Sequence, residues 1–145
     1  IYEKAVIIYD TMWGSTERMA DALIGLFMDL GLSAVKCRLA DTHISDIMTE
    51  VLDAKYLCVG SPTLNNNMLP TVSAFLTYLK GLNPRERVGL AFGSYGWGGQ
   101  SVGQINQVFQ DLDYTLLPES RIQYIPSEKK LSLFSQTIEK AVKKI

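Results

Sequence analysis

Residues 5–16, AVIIYDTMWGST, are the most informative about the fold, because they pass from an apolar run through a polar loop into the start of a helical pattern. The run AVIIY is nearly continuous in apolar residues, which is typical of a parallel strand that is covered on both faces. Apolar side chains then recur at helical spacing over residues 15–30, and Gly31 is placed to end the helix. The stretch therefore predicts a strand, a loop and a helix in direct succession.

The same alternation continues along the chain. The runs YLCVG (56–60) and VGLAFG (88–93) predict two more buried parallel strands, AVKCRL (34–39) alternates like an edge strand, and RIQYI (121–125) is a weaker fifth candidate. Helical patterns fill the intervals at 45–52, 70–79, 101–112 and 127–145. Strands that alternate with helices predict an α/β fold with a parallel sheet and right-handed crossovers. The 145 residues suffice for one domain.

The composition of the chain indicates which kinds of binding partner are disfavoured. Fourteen Lys and Arg residues against fifteen Asp and Glu residues leave a net charge of -1, which favours neither nucleic acid nor an acidic membrane surface. No apolar run is long enough to span a bilayer, and Cys37 and Cys58 lie apart in predicted strands, as buried free thiols do in a reducing compartment. We therefore expect a cytoplasmic location. Because Ile1 almost directly enters a strand, we also expect a domain excised from a longer protein.

Three loops follow the first, third and fourth predicted strands, where open α/β sheets bind ligands. They read DTMWGST (10–16), SPTLNNNMLP (61–70) and SYGWGGQ (94–100), and they are nearly free of charge. The first leads into a helix start, where backbone N–H groups and the hydroxyls of Thr11, Ser15 and Thr16 could hold a phosphate. Alternatively, Ser15 is merely the N-cap of the helix. No lysine follows Gly14 and no GxGxxG is present, which excludes the common nucleotide and dinucleotide loops.

The other two loops offer groups that suit a flat polar ring. Tyr95 and Trp97 stand among glycines, where they could stack on a heteroaromatic ligand or pack against a neighbouring domain. The three asparagines at 65–67 tolerate left-handed backbone and present both donors and acceptors. Trp13 could stack, shield a phosphate or face a partner, and the sequence leaves these three roles open.

The sequence does not fit a histidine-based catalytic or metal site, and it fits a phosphoacceptor receiver domain poorly. His43 is the only histidine, which excludes a histidine-based triad or metal site within the chain, and we expect it at the surface near the start of the second helix. Asp10 ends the first strand as an acidic residue does in a phosphoacceptor receiver domain. Such a domain also needs an aspartate after strand three and a lysine after strand five, where this chain has Gly60-Ser61 and Pro126-Ser127.

The segments YDTMWGSTERMA (9–20), VGSPTLNNNMLP (59–70) and FGSYGWGG (92–99) resemble the three cofactor loops of the flavodoxin-like domain of flavodiiron proteins, also called A-type flavoproteins. The whole chain resembles the flavodoxin family. This resemblance implies a three-layer sandwich, with a five-stranded parallel sheet of order 2-1-3-4-5 and helices on both faces. It also implies non-covalent FMN, with no catalytic residue and no metal ligand in this chain.

The resemblance places the FMN phosphate on Thr11, Met12, Trp13, Gly14, Ser15 and Thr16. It places the ring and the ribityl chain on Ser61, Pro62, Thr63, Leu64, Asn65 and Asn66 and on Ser94, Tyr95, Gly96, Trp97, Gly98 and Gly99.

The resemblance further implies a partner within the same protein: a metallo-β-lactamase-like domain whose di-iron centre reduces dioxygen or nitric oxide. Rubredoxin or a reduced cofactor would supply electrons, and a homo-oligomer would bring the FMN of one subunit to the iron of another. The alternatives are a stand-alone flavodoxin, an NAD(P)H-dependent FMN or quinone reductase, and a cofactor-free interaction domain. Unlike the acidic free-standing flavodoxins, this chain is near neutral, which predicts two one-electron midpoint potentials that lie closer together.

Overall fold

A parallel sheet runs through the centre of the protein, with helices against both of its faces, in a computed structural model that describes residues 2–145. In chain order the elements are β1 (Tyr2–Tyr9), α1 (Ser15–Asp29), β2 (Ser33–Arg38), α2 (Ile44–Leu52), β3 (Ala54–Gly60), β4 (Thr63–Leu64), β5 (Asn67–Met68), α3 (Pro70–Leu82), β6 (Val88–Tyr95), α4 (Gln100–Asp111), β7 (Thr115–Leu116), β8 (Ser120–Gln123) and α5 (Glu128–Lys143). The five predicted helices and the five predicted strands are all present.

The order of the sheet is β2-β1-β3-β6, and both β7 and β8 pair with β6 to complete its far side. Since β6 is the fourth predicted strand, the predicted order 2-1-3-4-5 is confirmed, with β2 at one edge. The fifth position is divided between β7 and β8. Pro118 lies between them, and a proline has no N–H to donate to a sheet ladder, which accounts for the interruption.

The strands alternate between two hydrophobic cores. Along β1, Ile7 and Tyr9 face the core beneath α1 and α5, whereas Val6 and Ile8 face the core beneath α2, α3 and α4. All four side chains are almost completely buried. This arrangement confirms the three-layer sandwich, and it explains why β1 reads as a continuous apolar run rather than an alternating one.

The segment 61–70, predicted as a loop from the sequence, contains the β4–β5 hairpin. Its two-residue strands are too short to show a periodic pattern.

Cys37 and Cys58 are buried and free. Burial raises the pKa of the Cys37 thiol to about 11 and also raises the pKa of the Cys58 thiol. Within residues 2–145, none of the helices combines the length and the apolar character needed to cross a bilayer.

Candidate cofactor site

The carboxyl end of the sheet opens into a cavity of about 750 Å³ between the loops that follow β1, β3 and β6. Thirteen of the eighteen predicted binding residues line it, and so does Tyr124. The thirteen are Thr11, Met12, Trp13, Ser15, Pro62, Thr63, Asn65, Asn66, Ser94, Tyr95, Gly96, Trp97 and Gly98. None of the described residues that line this cavity has a charged side chain. The three loops selected from the sequence therefore do meet around one neutral space.

The first loop delivers an open helix start to the cavity. Gly14 has a φ of 88°, a left-handed conformation that favours glycine, and its N–H donates to Thr11 Oγ1 at 2.9 Å. The first intrahelical hydrogen bond of α1 runs from Arg18 N–H to Gly14 O at 3.1 Å, and no side chain of residues 2–145 caps this helix. The preceding helical N–H groups, beginning with Ser15 and Thr16, therefore lack a partner within the helix. Ser15 is the first helical residue rather than the cap.

Asp10 holds the first loop in place through hydrogen bonds of its carboxylate. The residue is 6% exposed, and its carboxylate accepts hydrogen bonds from Thr11 N–H at 2.9 Å and from Thr71 Oγ1 at 2.6 Å. The guanidinium Nε of Arg38 lies 3.8 Å from the same carboxylate. Asp10 is absent from the cavity lining. Its part in this site is thus to fix the backbone of the loop at the end of β1, a part that the sequence did not reveal.

Five predicted binding residues do not line the cavity: Gly14, Thr16, Ser61, Leu64 and Gly99. The Thr16 and Ser94 hydroxyls are both buried and lie 2.9 Å apart, which ties α1 to the end of β6. Ser61 Oγ accepts from Leu69 N–H at 2.9 Å and donates to Pro62 O at 2.7 Å. The side chains of Thr16 and Ser61 therefore bind the loops to the scaffold, while the N–H of Thr16 remains one of the open donors at the helix start.

The start of the second loop lies very close to β6. A Cβ atom at Gly93 would overlap the carbonyl oxygen of Ser61, so only glycine fits at this position. Above this contact, Asn65 and Asn66 form the turn of the β4–β5 hairpin with φ values of 50° and 65°. These values agree with the left-handed backbone that the asparagine run predicts.

Aromatic side chains surround the cavity. Trp97 is fully exposed, Trp13 is 78% exposed, and Tyr124 is 52% exposed, while Tyr95 is half-buried. Tyr124 N–H donates to Tyr95 O at 2.6 Å, so the loop after the fifth strand joins the site. Sequence reasoning missed Tyr124 because only three loops were considered. The rule that parallel strands end at the same edge of the sheet was the available signal, since it applies to the fifth strand as well.

The residues present fit FMN. A phosphate monoester suits the uncapped start of α1, where N–H groups and neutral hydroxyls can donate to its oxygens. An isoalloxazine ring suits the aromatic and asparagine side chains, which offer stacking surfaces together with donors and acceptors. The cavity volume lies in the range of ordinary cofactor sites, roughly 300–1,000 Å³.

The sequence model of the flavodoxin family matches residues 7–133. Among curated proteins, the chain is 43% identical to a nitric oxide reductase of Moorella thermoacetica over 125 residues, which are 85% of this chain and 31% of that protein. Among solved structures, rubredoxin oxygen:oxidoreductase of Desulfovibrio gigas is 38% identical with a TM-score of 0.89, and the match covers 98% of this chain and 36% of that one. The flavodiiron protein of Giardia intestinalis is 27% identical with a TM-score of 0.90 over 95% of this chain and 36% of that one.

The chain belongs to the flavodoxin family. The narrower resemblance, to the flavodoxin-like FMN domain of flavodiiron proteins, is confirmed by these relatives, and FMN is the cofactor that they imply. The chain spans about a third of the length of the curated relatives that it matches.

Proposed function

We propose that this chain is an electron-transfer domain, in which FMN held at the carboxyl edge of the sheet accepts electrons from a protein or cofactor donor and passes them to a di-iron centre. The observation that carries the proposal is the neutral cavity that joins an uncapped helix start to a rim of exposed aromatic side chains. This arrangement can anchor a phosphate at one side and leave a redox ring accessible to a partner at the other.

The phosphate end accounts for the absence of lysine from the first loop. A phosphate that only anchors a cofactor undergoes no transfer reaction, so no cation is needed to stabilise charge that develops in a transition state. The open N–H groups of α1 carry partial positive charge, and the hydroxyls of Thr11 and Ser15 add neutral donors. Gly14 lets the backbone turn sharply enough to present these groups.

The ring end accounts for the aromatic residues. FMN, when bound, supplies reversible one-electron and two-electron chemistry. Tyr95, Trp97 and Trp13 line the cavity and would offer aromatic faces to a flat ring, and the amides of Asn65 and Asn66 would offer hydrogen bonds at its polar edge. Because Trp97 and Trp13 are so exposed, they also provide apolar surface for a redox partner.

We further propose that residues 1–145 are the FMN domain of a longer flavodiiron protein in the cytoplasm, whose metallo-β-lactamase-like domain holds the di-iron centre and reduces dioxygen or nitric oxide. Relatives named for both activities support this proposal, and each is about three times as long as the matched region. Rubredoxin is the donor that one of these names suggests.

Anaerobic reduction assays test the proposal. Chain loaded with FMN is mixed with reduced rubredoxin, and the loss of flavin absorbance is followed by stopped flow. A second set of reactions contains NADH or NADPH with a quinone acceptor. We expect rubredoxin to bleach the bound FMN and the nicotinamide reactions to show no turnover. Sustained NAD(P)H oxidation by the chain alone, at normal FMN content, would contradict electron relay and identify a reductase.

A further inference from the structure

The β4–β5 hairpin, which carries Asn65 and Asn66 into the cofactor cavity, has little support of its own. It forms a separate two-stranded sheet with two residue pairs, Thr63 with Met68 and Leu64 with Asn67. A two-stranded hairpin is marginally stable in water unless other elements hold it. The position of this cavity wall must therefore be set by contacts outside the hairpin.

Helix α4 supplies these contacts from two successive turns. On the first turn, Ser101 N–H donates to Thr63 Oγ1 at 3.1 Å, Thr63 Oγ1 donates to Ser101 Oγ at 2.9 Å, and Ser101 Oγ donates to Ser61 O at 2.9 Å. On the next turn, the half-buried Gln104 reaches the tip of the hairpin.

Gln104 uses both ends of its amide. Its Oε1 accepts from Met68 N–H at 2.8 Å, while its Nε2 donates to Asn67 Oδ1 at 2.8 Å and to Asn66 O at 3.4 Å. One side chain thus contacts three consecutive residues, Asn66 in the turn and Asn67 and Met68 in β5. Gln104 itself does not line the cavity.

We infer that Gln104 is a positioning residue for the FMN site, acting through the β4–β5 hairpin to fix the wall that contains Asn65 and Asn66. Because α4 starts directly after Gly99, the same helix orients the second and third cofactor loops with respect to each other. The inference rests on the FMN site of the proposed function and extends it to a residue that touches no cofactor.

Gln104→Leu tests the inference, with Gln107→Leu as a matched control. Gln107 lies one turn further along α4, is exposed, and donates to Asp111 of its own helix at 3.0 Å. We expect Gln104→Leu to weaken FMN binding about tenfold, because the change removes the hydrogen bonds that hold the hairpin wall of the site. Gln107→Leu should bind FMN as the wild type does.

Hydrogen exchange at the Met68 amide, measured without FMN, separates positioning from general destabilisation. In Gln104→Leu this amide should exchange faster while amides of β1 and β3 keep their protection. Gln104→Glu retains an oxygen acceptor for Met68 but cannot donate to Asn66 or Asn67, so it should preserve Met68 protection and bind FMN with intermediate affinity. It also provides the test if the leucine variant does not fold.

Equal FMN affinity and equal Met68 exchange in the Gln104→Leu and Gln107→Leu variants would overturn the inference. A wild-type chain that binds no FMN would overturn the proposed function instead, and the Met68 exchange rates would still show whether Gln104 holds the hairpin.

Discussion

The amino edge of the sheet, where its parallel strands begin, and the carboxyl edge, where they end, carry different kinds of side chain. At the amino edge, Lys4 Nζ lies 2.6 Å from Glu50 Oε2 and 2.7 Å from Asp53 Oδ1, and Lys55 pairs with Glu3 at 3.2 Å. At the carboxyl edge, the residues that line the cavity are neutral, and two tryptophans are exposed. These charged side chains at the amino edge are thus paired within the protein, whereas the carboxyl edge keeps donors and aromatic faces free for a ligand.

This difference shows how one sheet can separate stability from function. A charge near the cavity would act directly on a bound phosphate or on a flavin that becomes negative on reduction. A charge at the amino edge lies at the other end of the strands, about seven residues away along β1, and acts mainly on folding. Substitutions at the two edges should therefore separate into effects on FMN and effects on stability.

The largest effect is expected from placing a charge at the phosphate end. Ser15→Asp should weaken FMN binding by about 100-fold or more, because like charges about 4 Å apart repel by roughly 1 kcal/mol in water and 4 kcal/mol near a protein surface. Fluorescence titration with FMN measures the affinity, and circular dichroism checks the fold.

Ser127→Asp is the matched control for this substitution. Ser127 caps α5, where its side chain accepts from Lys130 N–H, and aspartate caps a helix equally well. It lies outside the cavity lining. If Ser15→Asp retained flavin as firmly as Ser127→Asp does, the phosphate would have to bind elsewhere.

A smaller loss is expected from Trp97→Ala. Since the Trp97 side chain is fully exposed without cofactor, its removal should leave the unfolding free energy of the apoprotein unchanged. Loss of stacking and buried area should weaken FMN binding about tenfold. Tyr78→Ala removes another partly exposed aromatic ring, from α3, and should leave the FMN affinity unchanged. Unaltered FMN affinity in Trp97→Ala would indicate that this tryptophan serves a protein partner instead.

A redox effect of tens of millivolts is expected from Asn65→Asp. The neutral cavity should keep the two one-electron midpoint potentials of bound FMN close together, and an added carboxylate should lower the second, by about 60 mV for each 1.4 kcal/mol of repulsion. Asn83→Asp introduces the same change at another left-handed position, φ 49°, outside the cavity. Spectroelectrochemical titration compares them, and a wide gap already present in the wild type would refute the argument.

No effect on FMN is expected at the amino edge. Lys4→Met leaves Glu50 and Asp53 without their cation, so the free energy of unfolding should fall by about 1 kcal/mol, a magnitude ordinary for partly exposed ion pairs. Urea denaturation measures this loss, and FMN titration should match the wild type. A parallel fall in FMN affinity would show that the two edges are coupled.

The strands and the three cofactor loops could be predicted because each depends on a local pattern, whereas the order of the sheet was predicted from the resemblance to the flavodoxin family. The continuous apolar run at 5–9 reports burial on both faces, and the Gly, Asn and aromatic loops stand out against a charged surface. The β4–β5 hairpin could not be predicted, since its strands are held by Gln104 and Ser101 rather than by their own pattern.

Contacts between distant segments of the chain also could not be predicted from the sequence. The hydrogen bonds of Thr16 to Ser94 and of Asp10 to Thr71 join residues 78 and 61 positions apart, and nothing local marks these pairs. Tyr124 was missed for a different reason: it directly follows β8, the fifth strand, and the loop after that strand was not among the three loops that the sequence indicated. Local chemistry predicted which loops form the site, while tertiary contacts decide which side chains within them face the ligand.

The most direct measurement is the absorption spectrum of freshly purified chain, followed by titration of the apoprotein with FMN. We predict flavin bands in the purified protein and saturable binding of one FMN per chain, with quenching of tryptophan fluorescence from the cavity rim. A chain that shows no flavin bands and does not bind added FMN would contradict the assignment of the neutral carboxyl edge as a cofactor site.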